Sequence, residues 1–244
     1  MSKISTLDQA VSRVTDGSTI MIGGFLGVGT PLKCIEKIVQ KGVKNLTVIS
    51  VVNSYPGGGF DLAPLFKCRQ VRKFIAAHTG TCPEALEVYK TGELEVEFYP
   101  MGTWIEKIRA GGGGLGGVLT PIGVGTLMQE GKQVLSIGGK DYLLELPLRA
   151  EVAFIKGHRA DTIGNVEYRG VSINSNPAMA MAADYTVAEV DEIVDVGAID
   201  PARVGTPGIF VKAVVLGYSM AERQKIFEDL WVRTGRLKPV VVAA

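Results

Sequence analysis

Residues Asp16 to Pro31 read DGSTIMIGGFLGVGTP and constrain the fold more than any other stretch of the chain. A polar turn at Asp16-Gly17 leads into the apolar run Thr19–Ile22. Glycines at positions 23, 24, 27 and 29 follow before Pro31. A short apolar run between turn residues reads as a buried strand. The glycines then form the loop at its carboxyl end. Backbone without Cβ atoms can approach a ligand there and turn N–H groups towards it. Such a loop suits a carboxylate or an oxyanion. It also suits a plain change of chain direction, and the glycine pattern alone leaves both readings open.

The alternation continues along the chain. Apolar spacing with proline or glycine at the ends predicts helices over Thr6–Val14, Leu32–Lys41, Pro83–Thr91 and Thr103–Ala110. Strands are predicted over Asn45–Val52, Val71–Ala77, Leu94–Tyr99, Val152–Lys156, Tyr185–Glu189 and Glu192–Val194. A hairpin joins Val134–Ile137 to Asp141–Glu145 across Gly138-Gly139. Strands alternating with helices predict an α/β fold, an open and mostly parallel sheet flanked by helices in a single domain. The low aromatic content, 7%, beside many aliphatic residues suits such a sheet. Residues 1–216 form the expected domain, and 217–244 an extension. Within that extension Ile226, Phe227, Leu230 and Trp231 fall on one helical face. That face packs either on its own domain or on a partner.

Several chemistries are excluded or disfavoured. The net charge is +1 and no basic run occurs, so nucleic acid is not an expected partner. No apolar stretch is long enough to span a membrane, and the N-terminus has no secretory core. The widely spaced Cys34, Cys68 and Cys82 point to a reducing compartment without disulfides. A cytoplasmic protein is expected, or an organellar one after loss of a targeting segment. His78 and His158 stand apart from other metal-ligand types, so no metal is expected. Each ends a predicted strand, as a structural histidine or near a ligand-binding edge. Neither a nucleophile elbow, a P-loop nor the dinucleotide spacing is present. The run Gly111–Gly117, GGGGLGG, reads as a loop, either a flexible connection or a flap near the site with Thr120–Thr126 as its far side. Glu106 and Arg109 are spaced to pair on a helix, and Glu145 and Asp161 to hold loops. Read by itself, Asn53 is a turn asparagine ahead of Pro56, although its amide is a possible oxyanion donor.

The whole string from Asp16 to Pro31 resembles the signature of family I CoA transferases, with Asp16, Gly17, Gly23, Gly24, Phe25, Gly29 and Pro31 at its fixed positions. Ala76–Glu84, Met101–Gly117, Thr120–Thr126, Leu146–Asn165 and Thr206–Gly208 extend the resemblance, which is to the α subunit of the acetate or acetoacetate type. The resemblance implies a CoA-transferase-like fold and a ping-pong transfer of CoA between an acyl-CoA and a short carboxylic acid. In the family, a glutamate of a Ser-Glu-Asn-Gly motif on the β subunit becomes a glutamyl-CoA thioester. That motif is absent here. The resemblance therefore implies no catalytic nucleophile in this chain, a β-subunit partner, and an α2β2 assembly. CoA is implied as a substrate, with no permanently bound cofactor. The site residues implied are Gly23, Gly24, Phe25, Leu26, Gly27, Val28 and Gly29 for CoA or substrate, and Asn53 for the oxyanion. Val51 and Val52 are two extra residues before that asparagine. Glutaconate and 3-oxoadipate transferases share parts of the signature. A dicarboxylate substrate would need an added cation, for which Arg109 or Lys156 is a candidate. A ligand-sensing α/β domain and a sugar-phosphate isomerase are the readings from other classes.

Overall fold

The structure, a computed structural model, describes residues 1–237. Strands β1 (Thr19–Ile22), β2 (Leu46–Ile49), β3 (Val71–Ala76) and β4 (Glu95–Phe98) lie side by side and parallel. The chain then builds a small antiparallel sheet from β5 (Val118–Thr120), β6 (Val134–Ile137) and β7 (Lys140–Glu145). It returns with β8 (Ala150–Asp161) against the free edge of β1. β9 (Val166–Glu167), β10 (Ala183–Val194), β11 (Val204–Thr206) and β12 (Val211–Leu216) follow. Among the described residues the parallel order is therefore β12-β10-β8-β1-β2-β3-β4. β9 and β11 add a short antiparallel edge near the end of β8.

Helices α1 (Leu7–Ala10), α2 (Leu32–Lys41), α3 (Ala63–Lys67) and α4 (Pro83–Lys90) precede α5 (Met101–Gly113), α6 (Asn176–Met181) and α7 (Met220–Arg233). Successive strand residues point to opposite faces of a sheet, and this period divides the core. Ile20, Ile22, Val48, Phe74 and Phe154 join one apolar cluster with Ile35 and Ile38 of α2 and Phe66 of α3. Met21, Ile49, Ile75, Ala153 and Ile155 join the other with Trp104 and Ile108 of α5 and Met179 of α6. Both faces are covered, as a parallel sheet requires. No helix among the described residues is long and apolar enough to cross a membrane.

Four local expectations change. The first helix ends at Ala10 rather than Val14. Thr6 and Gln9 close a capping box at its start, while Val11 and Val14 remain buried beyond its end. Tyr185–Glu189 and Glu192–Val194 belong to one strand, because pairing with β8 continues unbroken from Glu189 through Val190 to Glu192. The polar residues in that stretch hide it from an apolar-run reading. His158 lies within β8 instead of ending a strand. The glycine run is helical as far as Gly113, and Gly114 closes α5 in the left-handed conformation. A Cβ at Gly111 would come within 3.0 Å of the Leu148 carbonyl carbon, so this glycine permits a close backbone crossing. Gly111–Gly113 are thus neither a flexible connection nor a flap. Glu145 lies between Lys107 at 2.9 Å and Lys132 at 2.5 Å, which ties the small sheet to α5. Asp161 accepts from the backbone N–H groups of Ile163 and Asn165 and holds the turn after β8. Arg109 pairs with Glu106 at 3.2 Å.

Candidate functional site

From β1 the strands proceed outwards through β2 to β4, whereas β8, β10 and β12 proceed in the opposite direction. The order therefore reverses between β1 and β8. In open α/β sheets, ligands bind outside the carboxyl ends of strands at such a crevice. The loop Gly23–Gly29 leaves β1 at this point. Phe25 and Val28 exchange backbone hydrogen bonds, N to O, of 2.9 and 3.0 Å. Leu26 and Gly27 between them have φ of 50° and 85°. Two successive positive φ values make a tight two-residue reversal. Phe25 and Val28 face solvent, and Leu26 packs on the Met21 side of the core. The backbone N–H groups of Gly24, Leu26, Gly27 and Gly29 have no acceptor among the described residues. They are the donors that a ligand could use.

The glycines themselves are closely packed. A Cβ at Gly23 would lie 2.7 Å from Asn176 Cγ, and one at Gly24 2.8 Å from Thr30 Cα. A Cβ at Gly27 would lie 2.5 Å from Phe60 and 3.1 Å from Phe227, and one at Gly29 2.8 Å from Asn174 Nδ2. The crevice floor is Asn176, which is fully buried. Its Oδ1 accepts from Lys156 N at 3.0 Å, and its Nδ2 donates to Gly29 O at 3.1 Å and Ser172 O at 3.0 Å. One side chain thus brackets β8 to the loop after β1. A valine at Gly24 or Gly27 would meet protein atoms and a positive φ, so loss of activity there would not by itself reveal a ligand cradle.

Asn53 lies four residues beyond β2, at the same sheet edge as the glycine loop, because β1 and β2 are parallel neighbours. It is fully buried. Its amide donates to Thr79 O at 2.7 Å, and its Oδ1 accepts from Thr81 Oγ1 at 3.0 Å. One of its two amide hydrogens is therefore engaged in holding the 79–81 loop. His78 is exposed, and its backbone N–H bonds Val51 O at 3.2 Å. His158 Nδ1 lies 3.0 Å from Asp191 Oδ2. Asp191 also contacts Lys156 Nζ at 2.7 Å. Burial pushes the Lys156 ammonium below its ordinary range, assisted by the nearby Arg223. Glu189 accepts from Cys34 N at 2.9 Å at the start of α2, and burial raises its carboxyl. The Cys34 thiol is raised well above its usual range by burial and then by Glu189, so it is a poor nucleophile. Among the described residues no cluster of metal-ligating side chains forms.

Sequence reasoning misses two residues at the loop. Asn176 is marked only by the turn pair Asn-Pro. Arg223 of α7 donates to Thr30 O at 3.3 Å and Gly27 O at 3.4 Å. It lies one and two turns before Phe227 and Leu230, but as a charged residue it does not register on the apolar face. Phe227 stacks edge-on against Phe60 with ring centres 5.5 Å apart, and Leu230 is buried. Helix α7 therefore covers part of the signature loop, while residues 238–244 of the extension lie outside the described residues.

The family model described as coenzyme A transferase matches residues 4–217. The alpha chain of the acetate CoA-transferase of Escherichia coli K12 is 46% identical over 215 residues, 88% of this chain and 97% of the relative. The corresponding chain of the 3-oxoadipate CoA-transferase of Acinetobacter baylyi is 44% identical over 213 residues, 86% of this chain and 92% of the relative. A solved acyl-CoA transferase apoenzyme from Escherichia coli O157:H7 shares the fold, with a TM-score of 0.81 at 21% identity. The match covers 88% of this chain, which spans 47% of that longer one. With the family match running through nearly all of the α/β domain, and relatives aligned over almost their full length, the chain belongs to the coenzyme A transferase family.

Proposed function

We propose that this chain is the α subunit of a two-component CoA transferase. It moves CoA between a short-chain acyl-CoA, of the acetyl or acetoacetyl type, and a free carboxylic acid. The observation that carries the reading is the signature loop at the β1/β8 crevice, with four backbone N–H groups that have no acceptor among the described residues and no carboxylate nucleophile among its residues. Attack on an acyl-CoA passes through a tetrahedral oxyanion, and preorganised donors lower that barrier by several kcal/mol. The Gly23–Gly29 backbone supplies the donors, with Phe25, Leu26 and Val28 shaping the substrate face. The remaining amide hydrogen of Asn53 adds a side-chain donor. A glutamate on the β subunit supplies the nucleophile and carries CoA as a thioester. The assembly is α2β2 and works in the cytoplasm, in keeping with the free thiols of Cys34, Cys68 and Cys82.

The test is co-expression with the β subunit. The purified chain alone should show no transfer from acetyl-CoA to butyrate or acetoacetate. The pair should show it, with a mass by light scattering that fits two copies of each subunit. Robust transfer by this chain alone, free of partner, would overturn the division of labour.

A further inference from the structure

Beside the signature loop, a cavity of about 180 Å³ opens at the carboxyl ends of β8 and β10. Lys156 and His158 of β8, Asp191 of β10, Arg169 after β9, and Met220 and Arg223 of α7 line it. The parallel register brings these charges together by pairing Lys156 with Glu189 and Gly157 with Val190, so His158 and Asp191 are adjacent. Both Asp191 oxygens are in use, one by Lys156 at 2.7 Å and the other by His158 at 3.0 Å. Arg223 Nε stands 4.0 Å from Asp191, and its terminal nitrogens donate to the neutral carbonyls of Thr30 and Gly27. Arg169 touches the Met220 sulfur at 3.7 Å and has no carboxylate partner among the described residues. Three cationic side chains therefore line the cavity with a single carboxylate, Asp191, among its walls. Two of them are largely withdrawn from water, Lys156 at 3% and Arg223 at 12% exposure. Glu189, fully buried behind Lys156, is a second carboxylate whose charge acts on both Lys156 and Arg223, and the three cations still outnumber the two carboxylates.

Desolvated cations without a full set of counter-charges are unfavourable, and an anion that bonds to them is held strongly. We propose that this cavity is a subsite for a small carboxylate, held by Lys156, Arg169 and Arg223. Its size excludes a nucleotide or a pantetheine arm, since sites for drug-sized ligands have volumes of about 300–1,000 Å³. Met220 and Arg223 lie beyond residue 217, outside the family match, so the extension supplies one wall of the subsite and the α/β domain the rest. The carboxylate is either the far end of a dicarboxylic substrate or a separate small acid. The first source rests on the transferase reading above, whereas the binding itself does not. Of the two cations that the sequence offers for a dicarboxylate, Lys156 lines this cavity, while Arg109 pairs with Glu106.

Calorimetric titration of the full chain with sodium succinate and sodium acetate, against sodium chloride at matched ionic strength, tests the proposal. Saturable carboxylate binding is expected, weakened about tenfold or more in Arg169→Gln and in Lys156→Met. Thermal unfolding checks that each variant is folded, and the exposed Arg169 keeps the test open if Lys156→Met is not. No saturable binding to the wild type, or undiminished binding in every folded variant, overturns the subsite. In the αβ pair, a dicarboxylic substrate as the source predicts that Arg169→Gln raises KM for succinate about tenfold relative to KM for butyrate. A separate acid as the source leaves that ratio unchanged. A pair that transfers CoA to butyrate while its α chain binds no carboxylate rejects the subsite and leaves the transferase reading standing.

Discussion

Replacing Gly23 by alanine adds one methyl group at the crevice between β1 and β8. The backbone there is not in the left-handed region, so the cost is one of space. The new Cβ would lie 2.7 Å from Asn176 Cγ and closer still to its Oδ1. Asn176 is fully buried and bonded to Lys156 N, Gly29 O and Ser172 O, so it cannot swing aside freely. Overpacking of this kind costs about 1–3 kcal/mol, and each buried group left unpaired adds about 1–3 kcal/mol. We expect a loss of about 3 kcal/mol, which for a chain of this size lowers Tm by roughly 6–12 °C. Asn176→Ala removes the bracket and should itself cost about 2 kcal/mol. In the double variant the methyl group has room, so the two costs should fall short of additivity by about 1–3 kcal/mol. Urea and thermal unfolding of the wild type, both single variants and the double variant complete the cycle. Wild-type stability in Gly23→Ala, or additive costs in the double variant, would refute the packing account and return Gly23 to a purely ligand-facing role.

Asn53→Ala should lower turnover by about tenfold to a thousandfold, with a smaller change in KM, because an oxyanion donor acts mainly in the transition state. It should also cost about 1 kcal/mol through the lost bond to Thr79 O; unchanged turnover in the assembled pair would remove Asn53 from the chemistry. Burial, against weaker hydrogen bonding from Leu62, raises the Asp61 carboxyl to about 7. The native chain then binds a proton that the unfolded chain has lost between about pH 4 and pH 7, so Asp61 makes stability fall as pH rises through that window. Asp61→Asn should remove this slope in urea midpoints, and identical pH dependence in variant and wild type would contradict the assignment. Glu145→Ala leaves Lys107, at 4% exposure, without its buried counter-charge and should cost about 3–5 kcal/mol. A change below about 1 kcal/mol in urea unfolding would show that water or Lys107 itself relaxes to compensate.

Much of the α/β architecture is legible in local spacing. Thr19–Ile22 is a strand because a short apolar run stands between turn residues, and Leu32–Lys41 is a helix because Pro31 and Gly42 delimit an amphipathic turn pattern. Glu106 with Arg109, and the anchoring roles of Glu145 and Asp161, also follow from near neighbours or from charge beside loops. Spacing misleads where a contact far along the chain decides. Gly111–Gly113 look like a loop but stay helical where Leu148 crosses close by. β10 looks like two strands but is one because β8 pairs along its whole length. The same limit applies at the site. The Asp16–Pro31 string is enough to specify the loop and the family resemblance. What fills that loop depends on the reversal of strand order between β1 and β8. Asn176 reaches Gly29 across 147 residues, and Arg223 reaches Gly27 across 196. Helix and strand periodicities are short-range properties of the backbone, whereas closures of that length form only when the whole sheet is assembled and its buried contacts offset the entropy of bringing the ends together.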